Sequence, residues 1–336
     1  MGNSVLVPSF TFVATANAVE YTGARPVFVD IDPATFTINP GEILKNLQTR
    51  HIHSQDSPKC ILPVSLFGLC ADMEKINSIA REHDMIVIED AACGLGARRM
   101  GRHAGAEALA GCLSFHPRKV ITTGEGGMVV TNDDRIAEKI RRMRNHGAGR
   151  TDLERHLKEG GSLLPEYDEL GYNYRMTDLQ GALGVAQMQK LEKILKAREA
   201  AAGSYVELLK DMPEFKTPAV PQGYQHAFQS FVCLFAPGLS DLSEIGDLDE
   251  MTLDDWNRRR NKLMSNLERD GISVRQGTHA VHTLGYYKKK YALRNSDFPM
   301  SLAADRLSIA LPLYADISEE EQARVVECIR RELPTI

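Results

Sequence analysis

Short apolar runs alternate with amphipathic segments through the first 150 residues of the chain. The apolar runs predict strands, and the helical spacing of the segments between them predicts helices. Predicted strands cover residues 5–7, 26–31, 60–66, 85–90, 111–115 and 127–132, and predicted helices cover residues 12–22, 41–49, 72–83 and 133–143. Because the strands are continuously apolar, they indicate a mostly parallel sheet with helices on both faces, an α/β fold.

A different pattern follows this alternation. Residues 147–171 are polar and glycine-rich, which predicts a long surface loop. One helical pattern then runs from Thr177, a suitable cap, to about Leu209. We expect three parts: a large α/β domain over residues 1–176, a bridging helix over 177–210 and a small α+β domain over 211–336.

Two features mark the C-terminal third. Residues 236–256 carry seven acidic residues and no lysine or arginine, which favours an exposed acidic insertion. Ser318 and Glu321 have the spacing of a capping box and predict the start of a C-terminal helix.

Charge argues against a nucleic-acid or membrane partner. The 336 residues carry a net charge of −5, with 43% hydrophobic and 25% charged residues. An acidic chain has no general attraction for phosphate backbones or anionic lipids. The basic run at residues 141–150 is more simply a solvated helix end.

The cysteines favour a reducing compartment. No C-x-x-C pair or zinc-like spacing occurs among Cys60, Cys70, Cys93, Cys112, Cys233 and Cys328. We therefore expect reduced, mostly buried thiols and a cytoplasmic protein without a metal site. The N-terminal residues lack the pattern of a signal peptide, and no apolar run is long enough to span a bilayer.

One group of side chains suggests chemistry. Asp90 ends a predicted strand, and Lys119 lies on the loop after the next strand, within SFHPRKVITTGEGG. Ser114 and the TTGEGG turn offer hydroxyl and N–H groups for an anion, and Phe12 offers an aromatic face. Together these groups suit pyridoxal phosphate: the lysine forms a Schiff base, the aspartate pairs with the ring nitrogen, and the phenylalanine stacks on the ring.

A set of motifs extends this hypothesis over nearly the whole chain. In order they are VPSFTFVATANAV, PVFVDID, IEDAA, SFHPRK, TTGEGGMVVTND, GYNYRMTDLQGALG, RQGTHAVHTLGYY, DFP and SIALPLY. This series resembles the DegT/StrS family of sugar aminotransferases. The resemblance implies the fold of fold-type I pyridoxal phosphate enzymes, whose members in this family act on nucleotide-linked keto sugars.

The resemblance also implies roles for individual residues. It assigns the Schiff base to Lys119, the ring nitrogen to Asp90, the cofactor phosphate to Ser114 and the ring face to Phe12. Asn173 is similar to an asparagine that reaches the phosphate in the neighbouring subunit. The implied assembly is therefore a homodimer with composite active sites.

Four further positions follow from the same resemblance. Arg275, His279 and His282 are expected near the sugar nucleotide; the alternative, a metal pair in HAVH, lacks a third ligand at a suggestive spacing. Cys93 stands where the family commonly has a glutamine or histidine that hydrogen-bonds near the cofactor, so we expect it to contact the cofactor with a weaker donor.

The expected reaction is transamination of a nucleotide-linked keto sugar with glutamate as donor, for surface-polysaccharide or antibiotic sugars. Two alternatives stay open. In a sugar dehydratase of this family histidine replaces the lysine, and Lys119 argues against it. A catalytically impaired partner or regulator is favoured by the lack of the family's phosphate-binding turn before VPSFTF, whereas Lys119, Asp90 and Ser114 oppose it.

Overall fold

The computed structural model describes residues 3–49, 57–149 and 166–336, and its elements follow the predicted alternation. The strands are β1 (Ser4–Pro8), β2 (Phe10–Thr11), β3 (Arg25–Val29), β4 (Pro58–Ile61), β5 (Ile86–Asp90), β6 (Arg98–Arg99), β7 (Arg102–His103), β8 (Ala110–Ser114), β9 (Gly127–Val130), β10 (Phe215–Lys216), β11 (Tyr224–Gln225), β12 (Phe231–Phe235), β13 (His279–Ala280) and β14 (Ser308–Leu311). The helices are α1 (Val13–Tyr21), α2 (Pro40–Thr49), α3 (Met73–Glu82), α4 (Asp134–Met143), α5 (Asp178–Met188), α6 (Leu191–Leu209), α7 (Glu250–Arg269), α8 (Gly285–Tyr291), α9 (Pro299–Leu307) and α10 (Glu319–Glu332). Most of the predicted loop at 147–171 lies outside the described residues.

The large sheet confirms the predicted α/β fold. Its strand order is β3-β1-β4-β5-β8-β9, and neighbouring strands are parallel except β9, which runs antiparallel to β8. Leu6 and Val7 in β1 have no exposed surface, as continuous apolar strands between two layers require. Helices α2 and α3 contribute to the core against this sheet, through Ile43, Leu47, Ile76 and other buried residues.

Strand β4 ends earlier than its apolar run because of a proline. The run continues to Leu66, but Pro63 cannot donate a ladder hydrogen bond. The chain nevertheless stays beside β5: the carbonyl of Pro63 accepts the Asp90 N–H at 2.9 Å, and Ser65 donates its N–H to the Asp90 carbonyl at 3.0 Å. The backbone at the end of β5 is therefore hydrogen-bonded to the segment that follows β4.

The single bridging helix predicted for 177–210 is wrong, because two helices occupy this range. Thr177 does cap the first one, in a capping box with Gln180. The helix ends at Met188, and α6 starts at Leu191 after a turn. No residue of α5 is buried, whereas α6 packs into the core through Tyr205 and other residues. The two helices thus have different surroundings, and the continuous helical pattern of the sequence does not reveal this difference.

The acidic segment at 236–256 is only partly an exposed insertion. Its carboxylates lie outward and Asp249 caps α7, accepting the Thr252 N–H at 2.9 Å. Ile245 and Leu253 are buried, and they join a core cluster with Leu307. The segment is therefore an integral part of the C-terminal region.

A second, antiparallel sheet of order β10-β12-β14 forms the centre of the C-terminal region. All five residues of β12 are buried. Helix α10 packs there, and the predicted capping box of Ser318 and Glu321 begins it. The domain limits themselves stay a prediction.

One buried carboxylate links the two sheets' regions. Asp30 follows β3 and accepts the N–H groups of Met300 (2.9 Å) and Ser301 (2.7 Å) in the first turn of α9. The Ser301 hydroxyl donates to it as well, at 2.5 Å. Burial raises the pKa of Asp30, and these hydrogen bonds oppose that rise. Asp30 is thus a helix cap supplied from 270 residues away.

Replacing Asp30 with alanine should lower the free energy of unfolding by about 3 kcal/mol, because two buried N–H groups and a hydroxyl lose a charged acceptor. Urea denaturation measures this loss. Asp32→Ala is the control, since Asp32 accepts one N–H, from Ala34, in a turn near the surface. Equal and small losses in both variants would show that Asp30 does not hold α9.

Candidate active site

Asp90 is fixed at the carboxyl edge of the large sheet. It is the last residue of β5, and both of its carboxylate oxygens have partners. Thr15 donates its hydroxyl to Oδ2 at 2.7 Å, and the N–H of Ala92 donates to Oδ1 at 3.1 Å. The carboxylate is therefore oriented before any ligand arrives, as a charge-pairing group requires.

Lys119 lies on a loop that is closed by its own hydrogen bonds. The carbonyl of Phe115 accepts both the Thr122 hydroxyl (2.9 Å) and the Thr123 N–H (3.0 Å), which joins the two ends of the loop. Inside it, the Lys119 N–H donates to the carbonyl of His116 at 2.9 Å. The backbone around the amine is thus braced.

The hydroxyls of the TTGEGG turn, which the sequence suggests for an anion, form hydrogen bonds within the loop. The Thr123 hydroxyl donates to the carbonyl of Glu125 at 2.8 Å, and the Thr122 oxygen also accepts the Gly124 N–H at 2.9 Å. Gln180 of α5 donates to the same Glu125 carbonyl at 2.8 Å. Ser114 is partly buried at the end of β8, and its oxygen accepts the His116 N–H at 3.3 Å.

Cys93 lies directly beside the lysine amine. Lys119 Nζ donates to Cys93 Sγ at 3.2 Å, and both side chains are partly buried. Burial raises the pKa of the Cys93 thiol, while the neighbouring Lys119 opposes the rise. Cys93 is therefore a neutral thiol near pH 7.

Phe12 presents a ring that the described chain leaves uncovered. It precedes α1, and 62% of its surface is exposed. Its carbonyl accepts the Thr15 N–H at 3.1 Å, so Phe12 belongs to the same helical turn as the residue that bonds to Asp90. An exposed phenylalanine next to an anchored carboxylate is a suitable face for a planar ligand.

The C-terminal region reaches the same edge by strand pairing. Strand β13 is antiparallel to β2, with His279 opposite Thr11, next to Phe12. His279 is exposed there. Arg275 is also exposed, and its backbone pairs with Ala310 of β14.

His282 does not line an accessible surface, so its expected contact with a substrate is corrected. The side chain has no exposed surface. Its Nδ1 is 2.6 Å from the Ser9 hydroxyl, and its ring packs against Phe298 with centroids 4.8 Å apart. His282 thus helps to attach the HAVH segment to the strand that leads to Phe12.

Asn173 lies on the surface, away from the core of its own chain. Its backbone forms an antiparallel bridge with Asn145, and its side chain is exposed. Tyr172 and Tyr174 flank it, with stacked rings 4.9 Å apart. Among the described residues no hydrogen bond joins Asn173 to Lys119 or Asp90, and its expected contact with the neighbouring subunit's cofactor stays a prediction.

Sequence reasoning missed two residues of this region. Thr15, bonded to Asp90, stands in FVATAN three positions after Phe12, a spacing that places both on one side of a helix. Gln229 donates to the carbonyl of Arg118 at 2.8 Å and so connects the C-terminal region to the loop between Phe115 and Thr123 that carries Lys119. No local pattern marks Gln229, because its partner is 111 residues away.

The described ranges contain no group of three or more His, Cys, Asp or Glu side chains placed to hold a metal ion. Nor does any helix within them combine the length and apolar character needed to cross a membrane.

Comparison with known proteins gives a consistent result. Residues 1–330 match the DegT/DnrJ/EryC1/StrS aminotransferase family. A GDP-perosamine synthase from Caulobacter vibrioides is 33% identical over 329 residues, which are 98% of this chain and 78% of that protein. A UDP-N-acetyl-3-dehydro-α-D-glucosamine 3-aminotransferase from Acidithiobacillus ferrooxidans is 32% identical over 336 residues, 99% of this chain and 78% of the relative.

Solved structures agree. The crystal structure of a DegT DnrJ EryC1 StrS aminotransferase from Brucella abortus superimposes with a TM-score of 0.82 at 30% identity. The match covers 98% of this chain and 79% of the other.

The buried state of His282 should make stability depend on pH. Burial lowers its pKa to about 4, while the unfolded chain binds a proton near pH 6.5, so stability falls as the pH drops from about 6.5 towards 4. Between pH 7 and pH 5 this residue should cost about 2 kcal/mol, a cost that His282→Gln removes. Urea denaturation at both pH values measures the difference.

The matched control for that experiment is His279→Gln, because His279 is exposed and lies three residues before the buried histidine. It should keep the wild-type pH dependence. His226, whose pKa burial lowers to about 3, is present in every variant and contributes equally. If His282→Gln and His279→Gln lose stability in parallel, His282 is protonated in the folded state.

Proposed function

Since this chain belongs to the DegT/DnrJ/EryC1/StrS aminotransferase family, we propose that it transfers an amino group from glutamate to the keto group of a nucleotide-linked sugar. It is a pyridoxal phosphate-dependent aminotransferase. The observation that carries the proposal is the placement of a lysine amine on a braced loop and an anchored carboxylate at one sheet edge, with Cys93 in contact with the amine of Lys119 and Asp90 held by Thr15 and Ala92. The product would serve amino-sugar or surface-polysaccharide synthesis.

The residues present fit the cofactor. Lys119 supplies an amine for its aldehyde, Asp90 a carboxylate for its ring nitrogen, and Phe12 an uncovered ring for its face. Ser114 supplies a hydroxyl for its phosphate, and within the described ranges only the His116 N–H is bonded to its oxygen. Pyridoxal phosphate, when bound, supplies an electron sink for the carbon that loses its proton.

The protein's own contribution is orientation and proton transfer. Thr15 and Ala92 hold the Asp90 carboxylate in one orientation, so its negative charge favours a protonated ring nitrogen. Lys119 acts as the general base and acid: its amine takes the proton from the donor's Cα and gives a proton back on the same face of the bound molecule. The braced loop keeps this amine within reach of the carbon that loses the proton and of the carbon that receives one.

The substrate class is supported by the relatives' names and by two exposed groups. One relative is a synthase of a GDP-linked amino sugar, and another acts on a UDP-linked keto sugar. His279 and Arg275 are exposed on the C-terminal side of the site. A cationic guanidinium and an imidazole there suit a diphosphate linker.

The same residues weigh against the other functions considered. A dehydratase of this family would carry histidine in place of Lys119, and an impaired partner would have no need of an oriented Asp90. All six cysteines are free, which supports a cytoplasmic location.

Asp90→Asn should reduce kcat about 100- to 1000-fold, because a loss of ~3–4 kcal/mol follows when the ring nitrogen loses its anionic partner. Lys119→Ala should abolish transfer. The assay incubates purified protein with cofactor, glutamate and a panel of GDP- and UDP-linked keto sugars, and chromatography measures the amino sugar. Borohydride reduction with peptide mapping should place the cofactor on Lys119.

Asp72→Asn is the control for Asp90→Asn, because Asp72 caps α3 at the surface and its loss should leave kcat unchanged. Near-normal turnover of Asp90→Asn, or labelling of a lysine other than Lys119, would contradict the assigned roles. A wild-type protein that takes up the cofactor but aminates no sugar in the panel would contradict the proposed substrate class.

We further propose a homodimer whose active sites combine two chains. Helix α5 has no buried residue, and it exposes the large apolar side chains of Leu179, Leu183, Val185 and Met188. Leu179 is 85% exposed. An apolar face of this kind favours a protein partner, and a two-fold copy is the commonest one. The exposed Asn173 precedes α5 and would enter the other chain's site.

Mixing two inactive variants tests the composite site. If Lys119→Ala and Asn173→Ala are each inactive, random exchange of subunits should recover about a quarter of the wild-type sites, since half the dimers then contain one intact pair. Lys119→Ala mixed with Asp90→Asn is the matched control and should recover nothing, because both groups belong to one chain's site. No recovery in the first mixture would refute the shared site.

A further inference from the structure

We propose that Cys93 is a positioning residue, which holds the Lys119 amine in place for amino transfer. The proposal rests on the function proposed above and adds a role for a side chain that is unusual at this position in the resemblance already described. Its basis is the 3.2 Å contact from Lys119 Nζ to Cys93 Sγ. Lysine has a long flexible side chain, so a partner at its tip restricts the amine more than contacts along the stem do.

The sulfur can act this way because its own backbone is fixed. Cys93 lies in a turn directly after Asp90, where the Gly94 N–H donates to the carbonyl of Ala91 at 2.8 Å. A side chain on Gly94 would collide with Ala104, which shows how closely this turn packs. The backbone N–H of Phe67 also bonds to the thiol. The sulfur therefore has a defined position relative to the strand that carries Asp90.

A neutral thiol suits an amine that changes its protonation state. When Lys119 is an ammonium, it donates to a sulfur lone pair; when it is a free amine, the S–H can donate to its nitrogen. Burial, which raises the pKa of Cys93, keeps the thiol neutral in both cases. A carboxylate at this place would favour the ammonium form and impede its deprotonation.

The first test measures proximity without the cofactor. o-Phthalaldehyde joins an adjacent amine and thiol into a fluorescent isoindole, and peptide mapping identifies the two side chains. Cofactor-free wild-type protein should give a Lys119–Cys93 isoindole. Cys93→Ala should give none there, and Cys112→Ala, which removes an exposed thiol on β8, should react like the wild type. An unmodified Lys119–Cys93 pair in the wild type would overturn the proposal.

The second test separates positioning from packing. Cys93→Ala should lower kcat about tenfold, the effect of one charge-assisted hydrogen bond, with KM for the sugar nucleotide unchanged. Cys93→Ser should restore most of the rate, because a hydroxyl also donates and accepts. If the serine variant is as slow as the alanine variant, or if KM rises while kcat stays constant, Cys93 does not position the amine.

These two measurements also separate this proposal from the proposed function. An isoindole in wild-type protein that aminates no sugar supports the Cys93–Lys119 contact and refutes the substrate class. Active wild-type protein without the isoindole refutes the contact and leaves the function in place.

Discussion

The parallel pairing of β5 with β8 is the constraint on which the candidate site depends. In this register Asp90, the last residue of β5, lies opposite Cys112. Strand β8 ends two residues later, at Ser114, and the loop that carries Lys119 follows. Parallel strands have all their carboxyl ends at the same edge, and a crevice there is where such sheets bind ligands. A register shift of one residue would turn Asp90 to the other face and separate it from Thr15.

The second constraint is the attachment of the C-terminal region to this edge. Asp30 caps α9 from the end of β3, and β13 pairs with β2, so both contacts join segments about 270 residues apart. The contact between Ser9 and His282 adds a third connection beside Phe12. The exposed groups proposed for the sugar nucleotide therefore belong to a region that is attached by several independent contacts to the part of the chain that carries Phe12, which favours a preformed site.

Much of this arrangement could be predicted from the sequence, and the failures have a common physical cause. The predicted strands of the large sheet agree with the structure to within a few residues, because buried parallel strands have continuous apolar runs. The predicted strand at 60–66 extends beyond β4, because Pro63 interrupts the hydrogen-bond ladder but not the apolar pattern. The break after Met188 was missed since no glycine or proline marks it.

The site shows the same division. Motifs placed Lys119 and Asp90 on the correct loop and strand end, but nothing local reveals that the Ser9 hydroxyl meets His282, or that the Thr122 and Thr123 hydroxyls are used inside their own turn. Such contacts belong to tertiary structure.

Strand β9 lies at an edge of the large sheet: among the described residues it has a strand neighbour on one side only. Its sequence, GMVV, contains no charged residue, and Met128 within it is 52% exposed. An uncharged edge of this sort invites fibrillar, edge-to-edge association. Val130 of β9 and Met188 of α5 line one cavity of about 470 Å³, so the uncharged edge of β9 lies close to the apolar face of α5. Dimerisation through the face of α5 and precipitation through the edge of β9 would therefore compete for adjoining surfaces, and the outcome would depend on protein concentration.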